Sequence, residues 1–287
     1  MIQQQKMLHI TMVSDYSAVG HYRLLFPEMR MRTTSKNMMF IESSLYVGDP
    51  GIYAIARTVK IQRPCSPKQF DFLHNFLKPM SDRYGFWIIM DVDDCLGYED
   101  IPKYNIAKEF YRNVSPMLKK SMECVDFITT TTEYLRDYYA DKFELPKEKF
   151  IIIPNYLPKW WIGNSFDIGR TAYNYDVAIR KNKFKIGFIC GGNHFDLKND
   201  NEGKDDFTHL IEWVKENLGR YEFHFTGVVP QQLMEEFRHG KIFVDPTVDI
   251  LNYPVEISNR NYNAWICPLE DNTFNRCKSN IKLIEAW

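Results

Sequence analysis

Short apolar runs alternate along the chain with polar turns and with stretches whose apolar residues recur at helical spacing. The first run, His9 to Val13, predicts a strand. A polar loop from Ser14 to Gly20 follows, then HYRLLFPEMRM, a helical pattern in which Pro27 predicts a kink. More strands are predicted at Met38 to Ile41, Phe86 to Met90, Val125 to Thr129 and Phe150 to Ile153. Helices are predicted at Gln69 to Leu77, Tyr104 to Ser121 and Glu133 to Phe143. A strand, a glycine-bearing turn and a helix open doubly wound α/β domains, and the continued alternation implies a mainly parallel sheet.

After Pro154 the period is lost through PNYLPKWWIGNSFDIGRTAYNYDVAIRKNK, which ends in a basic run. Residues 158–183 are therefore expected to connect two domains. A second series starts with a strand at Lys185 to Cys190 and a turn at Gly191-Gly192. Helices at Asp205 to Asn217 and Gln231 to Arg238 alternate with strands at Tyr221 to Phe225, Lys241 to Val244 and Ala264 to Cys267, and a helix begins at Lys278. Each series has its own strands and glycine turn. The expected architecture is α/β, with two Rossmann-like domains (1–157 and 184–287) facing each other across a cleft and the second one shortened.

The 287 residues are 45% hydrophobic and 25% charged, as in soluble globular chains and unlike disordered, collagenous or coiled-coil sequences. No run approaches the length of a membrane span, and the N-terminus lacks the apolar core and cleavage site of a secretory signal. The six cysteines (Cys65, Cys95, Cys124, Cys190, Cys267, Cys277) have no C-x-x-C spacing, and several lie in apolar runs. Free buried thiols in a reducing cytoplasm are expected, rather than a disulfide framework or a zinc site. A net charge of −1 does not announce a nucleic-acid binder, but local basic stretches can act where the total cancels. Arg57, Lys60, Arg63 and Lys68 form one acid-free stretch, and Arg30, Arg32 and Lys36 another. Both read either as phosphate contacts for DNA or as solvated loops.

The most informative segment is the last, from Trp265 to Ala286. It reads as a buried strand, a polar loop and a helix whose first turn holds Lys278 and Ser279. A helix N-terminus and a lysine suit a diphosphate, and Glu285, two turns on, could accept hydrogen bonds from a ribose diol. The plainer alternative is a solvated helix with Lys282 and Glu285 as a surface pair. Gly191, Gly192, Asn193 and His194 follow a strand directly, either to let backbone approach a phosphate or sugar or to make a turn needing positive φ. Gly20 lies beside His21 and Arg23; the arginine either neutralises a diphosphate leaving group or faces solvent from its helix. Asp91-Val92-Asp93-Asp94 ends a strand, where open α/β sheets present their ligand crevice. These carboxylates could supply a general base, hold a divalent cation or cap the next loop. Asp93 and Asp94 are the candidates for base and neighbour, with His21 as the competing base. His74, His209 and His224 lie in helix or strand patterns and read as structural.

The run ICPLEDNTFNRCKSNIKLIEA resembles the nucleotide-sugar segment of GT-B glycosyltransferases, in particular the group-one and family-four-like sequences. VGHYRLLFPEM, CVDFITTTTEYLRDYY and FIIIPNYLP resemble further segments of that family in the same order, so the resemblance covers most of the chain. FNRCKSNIK also resembles the DNA glucosyltransferases of T-even-like bacteriophages. The resemblance implies UDP-glucose as donor substrate, with Glu285 on the ribose, Lys278 and Ser279 on the diphosphate, and Asn275 and Lys282 beside them. It implies hexose transfer to an acceptor hydroxyl, the best candidate being glucosylated hydroxymethylcytosine in double-stranded phage DNA within the host cytoplasm. Many retaining members carry a glutamate where this chain has Lys278, which favours an inverting reaction with an Asp base. Whether a divalent metal takes part, and the oligomeric state, stay open. A saccharide or lipid-linked acceptor, or a non-catalytic nucleotide-sugar-binding protein, are the alternatives. A dehydrogenase is disfavoured because the first turn lacks G-x-G-x-x-G.

Overall fold

Six parallel strands make the first sheet: β1 (Met7–Met12), β2 (Met38–Ser43), β3 (Ala56–Gln62), β4 (Trp87–Asp91), β5 (Phe127–Thr130) and β6 (Phe150–Ile152). Their order is β2-β1-β3-β4-β5-β6. A second, separate parallel sheet is built from β7 (Phe184–Phe188), β8 (Tyr221–Thr226), β9 (Ile242–Asp245) and β10 (Ala264–Trp265), in the order β10-β7-β8-β9. The structure, a computed structural model, describes residues 7–44, 46–161, 183–189, 191–199, 201–202 and 204–286. Most of the expected connection at 158–183, and Cys190, lie outside the described residues. The expected α/β class with two parallel sheets is what the structure has.

The chain divides into two compact units. The first comprises Met1–Asp100, Glu109–Pro158 and Arg276–Asn280, and the second Ile101–Lys108, Lys159–Asn275 and Ile281–Trp287. The division is not a single cut in sequence. The five residues from Arg276 to Asn280, which follow the second series, pack with the first unit.

Strand order decides where ligands bind. In the first sheet the chain goes from β1 outward to β2 and then back across β1 to β3, so the reversal lies between β1 and β3. In the second it lies between β7 and β10. Crevices in open α/β sheets form outside the carboxyl ends of the strands at these reversals, because neighbouring crossover helices leave on opposite faces.

The first helix, α1, runs through Ala18–Gly20, a π turn at His21–Leu25 and Phe26–Thr34. Pro27 produces no break. It cannot donate to the Arg23 carbonyl, the helix widens so that the Phe26 amide reaches back to His21, and Lys60 Nζ takes the Arg23 carbonyl at 3.4 Å. After α2 (Pro50–Tyr53), the same device recurs in α3, which runs through Pro67–Phe72, a π turn at Leu73–Leu77 and Lys78–Tyr84, with Pro79 just beyond the π turn. The helix expected at Tyr104 to Ser121 is instead two, α4 (Lys108–Val114) and α5 (Leu118–Cys124). Pro116 interrupts it and pushes Ser115 away from helical backbone. The strand β3 has no counterpart among the expected elements, although ARTVKIQ alternates with period two and buries Val59 and Ile61. After α6 (Glu133–Phe143), the second unit holds α7 (Ile211–Asn217), α8 (Met234–Arg238), α9 (Tyr253–Arg260), α10 (Thr273–Arg276) up to Asn275, and α11 (Ile281–Glu285). Its core is strongly aromatic: Phe188, Phe207, Phe223 and Phe225 are fully buried, and Phe188 stacks on Phe225 at 4.5 Å. Among the described residues no helix is long and apolar enough to cross a membrane.

Gly20 is not the pivot of a loop. It has helical backbone, and a Cβ there would lie 1.7 Å from the Asp15 carbonyl oxygen. Gly20→Ala is expected to cost about 4 kcal/mol or more in urea unfolding, at the far end of single-substitution effects. Gly191→Ala, in open space with φ −76°, should stay within about 0.5 kcal/mol of the parent.

Candidate functional site

The carboxyl end of β4 enters a fully buried ion cluster. Asp91 has no solvent exposure, and Arg23 from α1 grips it with two hydrogen bonds, Nε to Oδ2 at 3.2 Å and Nη2 to Oδ1 at 3.0 Å. Lys60 Nζ of β3 lies 3.3 Å from the same carboxylate, and Thr129 of β5 donates to it. Burial opposes the Asp91 charge, but Lys60 and Arg23 outweigh it and hold the carboxyl below its ordinary value. Burial lowers the Lys60 ammonium despite its partner. Arg23 also donates to the Ile153 carbonyl and to Asn155 Oδ1, so its guanidinium is spent inside the first unit and does not face solvent.

Asp93 and Asp94 differ from Asp91 in that burial dominates. Asp93 is raised, with Arg63 as its partly compensating neighbour at 3.4 Å, and Asp94 is raised to about 6. The largest cause for Asp94 is burial; Lys278 acts against it and Asp93 with it. Lys278 thus lies within electrostatic reach of Asp94, in the first unit. Two contacts fix its segment there. The Cys95 and Cys277 thiols, both buried, hydrogen-bond to each other, and Asn155 Nδ2 donates to Ser279 Oγ at 2.8 Å. The expected helix start at Lys278 is displaced: α11 begins at Ile281, leaving Lys278 and Ser279 in the turn before it. Lys278 and Glu285 therefore do not share a helix face. His21 sits near the start of α1 with Nδ1 2.9 Å from the Ser17 carbonyl. Asp91 serves two cations of the chain, and among the described residues no group of three His, Cys, Asp or Glu side chains is arranged to hold a metal ion.

At the β1–β3 reversal the first unit opens into a cavity of about 640 Å³, walled by Asp15, Tyr46, Gln62, Arg63, Phe110 and Tyr111 among others. Arg63 turns the chain at the end of β3 with a left-handed φ of 45°, uncommon for a residue with a side chain. Its guanidinium pairs with Asp15 at 2.9 Å and with Asp93. The Tyr111 hydroxyl is raised, first by burial and further by Asp94 and Asp93, with Arg63 opposing. The wall of the cavity is thereby continuous electrostatically with the two candidate bases. Asp15, Gln62 and Tyr111 were not among the expected site residues. Recognition of β3 would have revealed them, since the loops leaving β1 and β3 are the walls of the reversal. Of the basic stretch, Arg57 is exposed at the amino end of β3, Lys60 and Arg63 are committed to carboxylates, and Lys68 is exposed beyond the carboxyl end. Strand length separates Arg57 from Arg63 by roughly 20 Å, so the four form no common patch. In the other stretch Arg32 pairs with Glu28 and Glu42.

At the β7–β10 reversal of the second unit, Gly191 follows β7 with exposed backbone and nothing within 4 Å of its Cβ position. Neither Gly191 nor Gly192 has positive φ, so the positive-φ explanation for this pair falls away. Asn193 is exposed. His194 Nδ1 lies 2.7 Å from Asp206 Oδ2, and the buried Asp206 also accepts from Tyr104 Oη at 2.6 Å, Asn275 Nδ2 at 2.6 Å and the Glu270 amide at 2.8 Å. Burial works against the Asp206 charge, but the bonds from His194 and Tyr104 hold its carboxyl below the usual range. Asn275 is therefore a scaffold residue tying the loop after β10 to Asp206. Beyond β10, Cys267 points its thiol to the Ile189 carbonyl and feels the charges of Lys282 and Glu285. Glu285, with a side chain only 2% exposed, accepts from Tyr253 Oη at 3.0 Å and from Lys282 Nζ at 2.7 Å. It is a buried carboxylate at the second reversal and not half of a surface pair. Tyr253 and Asp206, which hold Glu285 and His194, carried no recognisable spacing in the sequence.

No family model and no curated protein sequence matches the chain. Among solved structures it is similar to the UDP-GlcNAc 2-epimerase from Neisseria meningitidis bound to UDP-GlcNAc, at 8% identity over 91% of this chain and 76% of that one, with a TM-score of 0.49. It is similar to an alpha-glucosyltransferase in complex with UDP-glucose and DNA containing an abasic site, at 11% identity over 91% and 71% of the two chains, TM-score 0.47. It is also similar to a glycosyltransferase from Rickettsia africae ESF-5, at 11% identity over 87% and 70%, TM-score 0.46.

Two expectations follow from the carboxylates. Arg23→Met leaves Asp91 buried beside Lys60 alone and is expected to cost about 3–5 kcal/mol in denaturant unfolding. Asp94 behaves oppositely to Asp91. A folded-state value raised to about 6 means that its contribution is favourable in acid and is lost as pH rises through about 6. Asp94→Asn should therefore melt above the parent at pH 8, and the gain should vanish near pH 4.

Proposed function

We propose that the protein is a glycosyltransferase that moves a hexose, by preference glucose, from a UDP-sugar to an acceptor hydroxyl. The observation that carries this reading is the second reversal, where exposed Gly191 backbone and the buried Glu285 carboxylate lie at the carboxyl ends of β7 and β10. Open main chain after a strand suits a diphosphate, and a fixed carboxylate suits a ribose diol. Gly192, Asn193 and His194 extend the phosphate and sugar side of that crevice. The likeness of ICPLEDNTFNRCKSNIKLIEA to the GT-B donor segment supports the same assignment.

The acceptor occupies the cavity at the first reversal. Asp94 takes the proton of the acceptor hydroxyl, the hydroxyl oxygen forms a bond to the anomeric carbon, and the bond from that carbon to the diphosphate breaks with its electron pair leaving on UDP. Lys278, within electrostatic reach of Asp94, offsets the charge that develops on the leaving group. A single displacement of this kind inverts the anomeric centre. Asp93 and the Asp15–Arg63 pair orient the Asp94 side of the site, and His21 is the second candidate base. For the acceptor we favour glucosylated hydroxymethylcytosine in phage DNA. Exposed Lys68 is available to a phosphate at the cavity side and exposed Arg57 at the far end of β3.

Turnover of labelled UDP-glucose with modified phage DNA tests the reading. Transfer is expected, with kcat/KM rising to a plateau around a midpoint near pH 6 as Asp94 loses its proton, and Asp94→Asn should lower kcat by about 10²–10⁴-fold. Absence of binding to any nucleotide sugar at millimolar concentration would end it. Retention on modified DNA that weakens steeply with salt supports the DNA acceptor; transfer to a free saccharide without such retention replaces it.

A further inference from the structure

One residue in the wall of the cavity at the first reversal carries a polar group that the fold leaves unsatisfied. Gln62 closes β3, is 1% exposed and forms part of the cavity wall. Its Oε1 accepts the Ser14 and Asp15 amides, each at 3.0 Å. Those two backbone donors fix the orientation of the side-chain amide, because only the oxygen can accept them. The other end, Nε2, is then necessarily a donor, it is buried, and it has no hydrogen-bond partner among the described residues. A buried donor of this kind costs about 1–3 kcal/mol when left unmade, so it calls for a partner.

The surroundings define what the missing acceptor belongs to. The wall holds two cations: Arg63, already shared between Asp15 and Asp93, and Lys68, which is exposed, so the buried interior beside Gln62 offers no uncommitted positive charge to an anion. Tyr46, Phe110 and Tyr111 present aromatic surface, with Tyr46 held by stacking on Phe72 at 4.4 Å. About 640 Å³ is more than one sugar ring needs and lies within the range of small-molecule pockets. A neutral polyol ring, with C–H faces for the aromatic walls and oxygens for an amide donor, matches this set. A phosphate does not.

We propose that this cavity is a binding site for a neutral pyranose, recognised through donation from Gln62 Nε2 to a ring hydroxyl. It deepens the acceptor half of the proposed function and rests on it only for the reaction, since binding itself needs no donor sugar. Gln62 is a specificity-determining residue here. An acceptor already carrying a sugar would be held by that sugar, which places the reaction after an earlier glycosylation.

The test is saturation-transfer NMR with methyl β-D-glucopyranoside on the full chain in the absence of nucleotide, with glucose 6-phosphate as the anionic comparison and UDP binding measured in parallel. The informative variant is Gln62→Glu, which keeps an oxygen for the Ser14 and Asp15 amides while replacing the donor by an acceptor. Parent protein should bind the glucoside at millimolar concentration and prefer it to the phosphate, and Gln62→Glu should weaken it by about tenfold or more with UDP affinity unchanged. Tyr111→Phe, which leaves Gln62 and its loop untouched, should retain the preference for the neutral sugar; if Gln62→Glu fails to fold, the parent's own preference between the glucoside and glucose 6-phosphate decides. Protein that binds UDP but ignores the glucoside up to about 50 mM, or prefers glucose 6-phosphate, overturns the proposal while leaving the donor site standing. Failure to bind UDP with normal glucoside binding sinks the glycosyltransferase reading and leaves this site intact.

Discussion

A single buried carboxylate, Asp91, organises the first unit. Its charge survives without solvent because Arg23 and Lys60 face it from α1 and β3 and Thr129 supplies a further donor from β5. Removing one partner of such a cluster leaves charge in a low-dielectric interior, which is why it constrains everything attached to it. Arg23 reaches on to the Ile153 carbonyl and Asn155, and Asn155 to Ser279. The Asp91 carbonyl accepts the Arg63 amide at 3.0 Å and so sets the turn that forms the cavity wall. The same centre that stabilises the sheet therefore places Lys278 and Arg63 around the two carboxylates that follow it.

Asp91, Asp93 and Asp94 show how neighbouring identical side chains take different roles. Asp91 has two cations in contact and stays ionised. Asp93 has Arg63 at a longer distance, and Asp94 has burial with no ion pair among the described residues, which lifts it to about 6. A base needs affinity for a proton near the working pH, and burial supplies it at the expense of stability in the ionised form.

Much of this was legible in the sequence. The alternation of strands and helices gave both sheets, and it put the Asp91 to Asp94 run at the end of one strand and Gly191 just after another, which is where the structure has them. The failures have physical reasons. ARTVKIQ looked like a basic loop because Arg57 and Lys60 dominate its composition, yet its period of two places Val59 and Ile61 in the core and delivers Lys60 to Asp91. The expected helix start at Lys278 overlooked that Cys277 is needed against Cys95, which holds the turn until Ile281. Glu285 was placed with the donor through the wrong geometry: its position comes from Tyr253 and Lys282, contacts across α9 and within α11 that no local spacing reveals. Gly20 follows a polar run and looks like a loop glycine, whereas it has helical backbone and the Asp15 carbonyl leaves no room for a Cβ there.

The crystal structure of the protein soaked with UDP-glucose tests the donor assignment most directly. Nucleotide density at the carboxyl ends of β7 and β10, with the diphosphate on Gly191 and Gly192 and the ribose on Glu285, is the predicted result. A nucleotide seated instead at the β1–β3 cavity, or no density at the second reversal at saturating ligand, contradicts it.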